Sequence, residues 1–198
     1  MDSRASFSGF VGRAGALAQL GAALRATPPA VLVTGPAGVG KSRLVARFLQ
    51  VHDANVARAD LGSARDLEDA LRRVGRALAI DFSPHDDADA VVMRVAQVLL
   101  SRAPALLWLD DADAVVESLD GAVALWARDD VRVVVTSRRS RLETPHQILL
   151  LGPLQSSEAE ALLVDRARRV RPDFAVTPAQ RASVDALIER VDALPLAI

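Results

Sequence analysis

The sequence contains no cysteine, which excludes disulfide bonds and metal sites built from thiolates. Its histidines, His52, His85 and His146, are scattered along the chain, so a histidine metal centre is not expected either. The absence of cysteine also fits a reducing compartment. We therefore expect a cytoplasmic protein.

Long apolar runs and an excess of one charge are missing as well. With 24 basic and 25 acidic residues the net charge is −1, which gives no overall attraction to nucleic acid or to an anionic membrane. The apolar runs are far shorter than a membrane span, and residues 1–15 lack the apolar core of a signal peptide. Since 51% of the 198 residues are apolar, we expect a globular chain with one sizeable core, or one domain and part of another.

Lysine is almost absent, because Lys41 is the only lysine among the 24 basic residues. Its presence indicates a site that needs a compact ammonium and would not accommodate the wider guanidinium. Residues 35–42 read Gly-Pro-Ala-Gly-Val-Gly-Lys-Ser and fit the pattern G-x-x-x-x-G-K-[ST]. An apolar run at 30–33 precedes them and a helical pattern at 44–49 follows. This context favours a phosphate-binding loop over the alternative, a glycine-rich turn.

In such a loop, backbone N–H groups and the helix N-terminus surround the phosphates, and the lysine reaches between the β- and γ-phosphates. The residues expected to contact a nucleotide here are Gly35, Pro36, Ala37, Gly38, Val39, Gly40, Lys41, Ser42 and Arg43.

Apolar strands and helical patterns alternate along the first three quarters of the chain. The predicted strands are 30–34, 55–59, 105–109, 131–135 and 148–151. The predicted helices are 14–25, 41–51, 67–78, 91–99 and 114–127. Continuous apolar strands separated by helices predict a parallel sheet that is covered on both faces.

The strand pattern stops after Gly152, and the rest of the chain has a helical pattern. Ser157 with Glu160, and Thr177 with Gln180, fit capping boxes that would begin two helices. We therefore predict a nucleotide-binding domain over 1–152 and a small helical domain over 153–198. Two helices cannot form an independent core, so they either dock on the sheet domain or pack with residues beyond 198.

Two acids, Asp110 and Asp111, follow the apolar strand at 105–109. The carboxyl ends of parallel strands lie at the ligand-binding edge of the sheet, so both side chains should lie beside the phosphate loop. We assign Asp110, with Ser42, to Mg²⁺ through its water shell, and Asp111 to the attacking water. The alternative is an acidic helix N-terminus, in which Asp111 and Asp113 face the helix dipole.

The next strand ends in Thr136, Ser137 and Arg138. Arg138 suits a charge-assisted hydrogen bond to a γ-phosphate. The alternative is a solvated basic loop, and we expect Arg139 and Arg141 to lie at the surface or to make weak polyanion contacts.

Together these pieces resemble the STAND class of signalling ATPases, which are related to AAA+ proteins and include the NB-ARC and NACHT nucleotide-binding domains. The resemblance rests on the order of Phe-Val-Gly-Arg at 10–13, the phosphate loop, the two acids, Thr-Ser-Arg at 136–138 and Leu-Pro-Leu-Ala at 194–197. It implies a three-layer P-loop NTPase fold with strand order 5-1-4-3-2 and a helical domain after it. The family commonly has glycine where Ala193 stands, which alters the expected turn there.

The resemblance also assigns roles to residues. Val11, Gly12 and Arg13 would pack against adenine, and Pro195 would close over the base from the helical side. Lys41 and Ser42 would serve phosphate and Mg²⁺, Asp110 the metal, Asp111 the water and Arg138 the γ-phosphate, so the catalytic set is Lys41, Asp110, Asp111 and Arg138. Such proteins continue into a winged-helix domain and sensor or effector domains, so we expect the helical domain of this chain to be truncated. The resemblance also implies nucleotide-dependent self-association.

The sequence predicts a switch that binds ATP or ADP together with Mg²⁺ and hydrolyses ATP slowly. One alternative is an AAA+ ATPase acting on DNA, such as a loader, initiator or transcriptional regulator. It would need an arginine from a neighbouring subunit and a basic groove with aromatic residues, but aromatic residues make up only 4% of this chain. Another is an adaptor that binds nucleotide without hydrolysing it.

Overall fold

The computed structural model describes residues 9–51, 55–83 and 86–198, so the predictions for His52 and His85 lie outside the described residues. The helices are α1 (Ala14–Arg25), α2 (Lys41–Leu49), α3 (Leu67–Ala77), α4 (Ala88–Ser101), α5 (Val116–Trp126), α6 (Ser156–Val170) and α7 (Arg181–Arg190), with a 3₁₀ turn at Pro178–Gln180. The strands are β1 (Ala30–Thr34), β2 (Asn55–Asp60), β3 (Ala105–Asp110), β4 (Val131–Ser137) and β5 (Gln147–Leu150).

The strands form one parallel sheet in the order β2-β3-β4-β1-β5. This is the predicted order 5-1-4-3-2 read from the other edge, so the predicted P-loop NTPase fold is confirmed. The strand β1 lies between β4 and β5, and the loop that follows it therefore emerges from an inner strand of the sheet. Because every pair of strands is parallel, the carboxyl-terminal ends of all five strands lie on the same side of the sheet. The candidate site residues are expected there.

Two apolar clusters cover the two faces of the sheet. Every residue of β1 and β3 is buried, as continuous apolar strands predict. Leu32 and Leu107 pack with α3, α4 and α5 on one face. Val33 and Trp108 pack with α1 and α2 on the other.

The helical segment, which we define as residues 153–198, has its own smaller cluster formed by α6 and α7. Its buried members are Leu154, Ala159, Leu162, Val184 and Ile188. Val11 packs against this cluster although it precedes α1 in the chain. The segment 9–13 therefore lies between the sheet and the helices at the carboxyl-terminal side of the chain.

One of the two predicted capping boxes is present. Thr177 and Gln180 form the predicted box, with Pro178 at the first helical position. The box predicted for Ser157 and Glu160 is wrong, because α6 begins two residues earlier than that box implies, and Gln155 and Glu158 form the box instead.

None of the helices within residues 9–51, 55–83 and 86–198 has the length and apolar character needed to cross a membrane.

Candidate functional site

The loop between β1 and α2 has the backbone geometry of a phosphate cradle. Gly38 and Gly40 adopt φ values of 74° and 99°, which glycine tolerates and other residues rarely adopt. Gly40 is the N-cap of α2 and makes no side-chain cap, so the first N–H groups of the helix remain directed at the loop. An anion in this loop would meet backbone N–H groups and the positive end of α2.

Lys41 bends back over this loop. Its Nζ donates hydrogen bonds to the carbonyl oxygens of Gly35, at 2.9 Å, and Pro36, at 3.1 Å. Partial burial lowers the pKa of Lys41 from its ordinary value, while the carboxylates of Asp113 and Asp111 act in the opposite direction. Carbonyl oxygens are replaceable partners, so a phosphate could take over these hydrogen bonds.

A cavity of about 410 Å³ opens above the loop. Many of the predicted site residues line it, namely Ala37, Gly38, Gly40, Lys41, Ser42, Arg43, Asp111, Arg138 and Pro195. Three further lining residues, Asp113, Arg166 and Leu196, were not predicted. Two of these three belong to the helical segment, so the cavity has walls from both parts of the molecule.

Asp110 does not reach this cavity. Its residue is 3% exposed, and both carboxylate oxygens already have partners. Oδ1 accepts a hydrogen bond of 2.6 Å from the Thr136 hydroxyl, and Oδ2 accepts one of 2.6 Å from Arg58. The structure therefore places the predicted metal residue behind the cavity wall.

Asp111 is an exposed residue on the cavity wall with a left-handed backbone, at φ 55°. Its N–H donates to the Thr136 hydroxyl at 2.9 Å, so Thr136 connects the two neighbouring acids. Burial raises the pKa of Asp111 above its ordinary value, and repulsion by Asp113 and then Asp110 raises it further. A carboxylate with a raised pKa beside a phosphate site suits the predicted contact with water.

Asp113 is the partner of Arg138. One carboxylate oxygen accepts from the Arg138 backbone N–H and from the Ser137 hydroxyl, the latter at 2.7 Å, and the other accepts from Arg138 Nε. Partial burial alone would raise the pKa of Asp113, but these hydrogen bonds hold it below its ordinary value. The predicted γ-phosphate residue is thus tethered at the cavity edge by Asp113, an acid for which the sequence predicts no role beyond a helix N-terminus.

Three of the four residues predicted to enclose adenine come together. Val11, Arg13 and Pro195 line a second, small cavity of about 30 Å³, with Val39, Gly40 and Arg43 among its other walls. Arg13 donates through its side chain to the Val39 carbonyl at 3.1 Å. Gly12, Gly35 and Pro36 line neither this cavity nor the larger one.

The helical segment touches the phosphate loop directly. The Leu196 N–H donates to the Gly38 carbonyl at 3.1 Å, and a Cβ atom on Gly38 would lie 2.8 Å from the Leu196 side chain. At the other end of the segment, Glu158 accepts a hydrogen bond of 2.7 Å from the Arg13 N–H. These contacts join the segment to both the loop and residues 9–13.

The chemistry of the cavity wall fits Mg²⁺. Ser42, Asp111 and Asp113 offer a hydroxyl and carboxylates, and hard oxygen donors of this kind suit Mg²⁺. Within the described ranges, no group of three or more histidine, aspartate or glutamate side chains is arranged to hold a metal without help. An ion that keeps several waters and binds substrate phosphates needs few protein ligands, so the chemistry of these donors suits it.

Comparisons with known proteins agree with this geometry. The sequence profile of a family described as AAA domain matches residues 24–144. The curated protein "Uncharacterized protein Rv0894" from Mycobacterium tuberculosis (strain ATCC 25618 / H37Rv) is 30% identical over 205 residues, which cover 100% of this chain and 51% of that protein. The chain therefore spans about half the length of the curated relatives it matches.

Solved structures share the fold at low sequence identity. Cdc6p from Pyrobaculum aerophilum superimposes with a TM-score of 0.64 at 17% identity, over 79% of this chain and 49% of that one. The Signal Transduction ATPase with Numerous Domains (STAND) protein PH0952 from Pyrococcus horikoshii, which has a tetratricopeptide repeat sensor, gives 0.62 at 18% identity, over 95% and 29%. At such identities these two structures support the fold alone.

Proposed function

Because this chain belongs to the family of AAA domains, we propose that it is a switch that binds ATP or ADP with Mg²⁺ and hydrolyses ATP slowly. The observation that carries this proposal is the phosphate cavity, which the loop and the helical segment line together through Lys41, Arg166 and Leu196. A ligand in such a cavity contacts both parts, so ATP and ADP can favour different arrangements of the two.

The proposal gives Lys41, Ser42 and Asp111 in the cavity, and Asp110 behind its wall, separate roles toward the nucleotide. Lys41 would exchange its two carbonyl partners for phosphate oxygens, and Ser42 would bind the metal. Bound Mg²⁺ would neutralise charge on the β- and γ-phosphate oxygens. Asp110 would act on the metal through water, since its carboxylate lies behind the wall. Asp111 would orient or deprotonate the attacking water.

Two arginines from different elements can distinguish ATP from ADP. The tether between Arg138 Nε and Asp113 leaves the terminal nitrogens of that guanidinium for a γ-phosphate. Arg166 lines the same cavity from α6, and no contact among the described residues pairs it with a carboxylate. A γ-phosphate held by both would pull the helical segment toward the sheet, and its loss on hydrolysis would release that contact.

The small cavity beside Pro195 supports the same mechanism. Its volume of about 30 Å³ is far below the 410 Å³ of the larger cavity and is too small for adenine. Adenine binding between Arg13 and Pro195 therefore requires the helical segment to move away from residues 9–13. A base site that opens and closes with this segment would make nucleotide exchange slow.

The proposal extends to the protein class. We infer that residues 1–152 act as the nucleotide-binding domain and 153–198 as a helical domain of a STAND-type regulator. The winged-helix, sensor or effector domains of such a regulator would lie outside this segment. The regulator would respond to nucleotide by self-association. The signal that it detects would be recognised by those other domains.

Two measurements on the purified protein test this function. Mass spectrometry of the material released on denaturation should detect ADP or ATP, since slow exchange retains nucleotide. Steady-state ATP turnover should then fall well below the range of about 1–100 s⁻¹ that is usual for phosphoryl-transfer enzymes such as kinases. Turnover within that range, or turnover that rises when duplex DNA is added, would instead favour a DNA-acting AAA+ ATPase. No binding of ATP or ADP at millimolar concentration would refute both functions.

A further inference from the structure

Arg58 lies beside the candidate site, at a position that no sequence motif marks. It lies in β2, at the edge of the sheet, where Arg58 pairs with Trp108 of β3 in the parallel register. Trp108 and Asp110 are two residues apart on β3 and so project from the same face of the sheet. A long side chain at position 58 can therefore contact both.

Both contacts are present. The guanidinium carbon of Arg58 lies 4.5 Å from the centre of the Trp108 ring, which is a cation–π arrangement. Its Nη2 donates to Asp110 Oδ2 at 2.6 Å. The two partners differ in exposure, since the Arg58 side chain is 48% exposed and that of Asp110 is 4% exposed. Arg58 can swing into solvent, whereas Asp110 is confined.

Asp110 is also fixed from its other side. Thr136 donates its hydroxyl proton to Oδ1 and accepts the Asp111 N–H, so one hydroxyl holds the two acids in register. Each oxygen already has one partner, and the Asp110 side chain is only 4% exposed, so little room is left for a metal-bound water. Loss of one partner would open the carboxylate to a cation or its water, and Arg58 is the exposed partner.

We propose that Arg58 is a positioning residue that holds Asp110 away from the metal until Mg²⁺–nucleotide displaces the guanidinium. This inference rests on the proposed function, because it requires nucleotide to bind above the loop. It predicts that the energy of breaking the Arg58–Asp110 pair is taken from Mg²⁺ binding. Nucleotide binding without the metal leaves the pair intact.

The first experiment measures how strongly Mg²⁺ tightens ADP binding in Arg58→Met, with the full chain. The observable is the ratio of the ADP dissociation constant in EDTA to that in Mg²⁺. We expect the ratio to exceed that of the unmodified protein by about threefold or more, because no ion pair opposes the metal. Arg72→Met removes an arginine of the exposed α3 pair with Glu68 and serves as the matched control. An unchanged or smaller ratio in Arg58→Met would overturn the proposal and leave the pair as a brace of the sheet edge.

The second experiment follows the guanidinium itself through Trp108 fluorescence. The chain has two tryptophans, so Trp126→Phe makes Trp108 the sole reporter. Adding Mg²⁺ to the ADP-saturated Trp126→Phe protein should change the Trp108 emission as Arg58 leaves the ring. The same titration of the double variant that also carries Arg58→Met should show no change. No change on adding Mg²⁺, or the same change without Arg58, would contradict displacement.

A third variant covers the case in which Arg58→Met does not fold, since it leaves a buried carboxylate without its cation. Arg58→Lys keeps the charge but lacks the planar group that stacks on Trp108, and it should give an intermediate ratio. A ratio equal to that of the unmodified protein would count against the proposal. The proposed function fails separately, if the unmodified protein binds no ADP in either buffer.

Discussion

The sheet region (residues 14–151) and the helical segment differ in how far each is held together by its own contacts. In the sheet region, apolar side chains cover both faces of the central strands β1, β3 and β4. The helical segment has one small cluster of five buried residues. The segment therefore relies more on its contacts with the rest of the molecule.

Those contacts are concentrated where the nucleotide is proposed to bind. Glu158 meets Arg13 on one side, and Leu196 meets Gly38 on the other. Regions with few buried apolar contacts open at low free-energy cost. A ligand at the junction should then alter the helical segment much more than the sheet, and this difference is what the following variants test.

Lys41→Ala should have the largest effect on nucleotide binding, because it removes the ammonium that is proposed to bind the phosphates between the two regions. We expect nucleotide affinity to fall by about 100-fold or more, measured by titration with a fluorescent ATP analogue. The thermal unfolding midpoint should change little, since the side chain lies at the cavity and outside the core. Arg47→Ala removes an exposed cation from the same helix and is the control. Normal binding by Lys41→Ala would remove the phosphate loop from the site.

Asp111→Asn should separate ATP hydrolysis from nucleotide binding. It keeps the phosphate contacts, so nucleotide should still bind, while hydrolysis should slow by about 100-fold because the water loses its acceptor. Asp110→Asn should instead weaken Mg²⁺-dependent binding. Titrations and single-turnover hydrolysis give both quantities. Equal loss of binding in the two variants would mean that the roles of the two acids are assigned wrongly.

Glu158→Ala should loosen the helical segment alone. The carboxylate bonds the Arg13 N–H and the Gln155 N–H at the start of α6, so its loss should cost about 1 kcal/mol. Amide exchange in residues 156–170 of the nucleotide-free protein should become faster, while β1 and β3 exchange as before. Glu189→Ala, an exposed acid on α7, is the control. Equal acceleration in the strands would show that the two regions unfold together.

Asp111→Asn should also slightly stabilise the nucleotide-free protein. The folded-state pKa of Asp111 is raised, so its ionised form disfavours folding at neutral pH. The stabilising contribution of a raised pKa is present below the unfolded pKa and is lost as the pH rises through the folded one. We expect the unfolding midpoint at pH 7 to rise by about 1 °C and the gain to vanish below about pH 3.9. A lower midpoint at pH 7 would contradict the direction of this shift.

The sequence predicted features that depend on local pattern and chain order. The phosphate loop follows from residues 35–42 together with the strand and helix patterns on either side. The parallel sheet follows from the alternation of apolar strands and helices, and its strand order is what the resemblance implies. The predicted residues Val11, Arg13 and Pro195 also meet, although nearly the whole chain separates them. Their roles toward adenine stay predictions.

Features that depend on the approach of distant side chains were not predicted. Asp113 reads as one more acid at a helix start, and only the fold brings Ser137 and Arg138 onto it. The Arg58–Asp110 pair requires the register of β2 against β3, which apolar periodicity does not define. The capping box of α6 is formed by Gln155 and Glu158 and not by the predicted pair. Glu158 also accepts a hydrogen bond from the N–H of Arg13, which lies outside the helix.

Hydrogen-exchange mass spectrometry with and without ADP–Mg²⁺ tests the central claim most directly. A ligand that binds only the native state at 100 times its dissociation constant adds about 2.7 kcal/mol of stability. We predict that residues 153–198 slow their exchange on ADP–Mg²⁺ binding, including 177–198, which contain no part of the phosphate loop. Protection limited to residues 35–42 and 105–111, with an unchanged pattern across 177–198, would contradict the switch and leave it without its moving part.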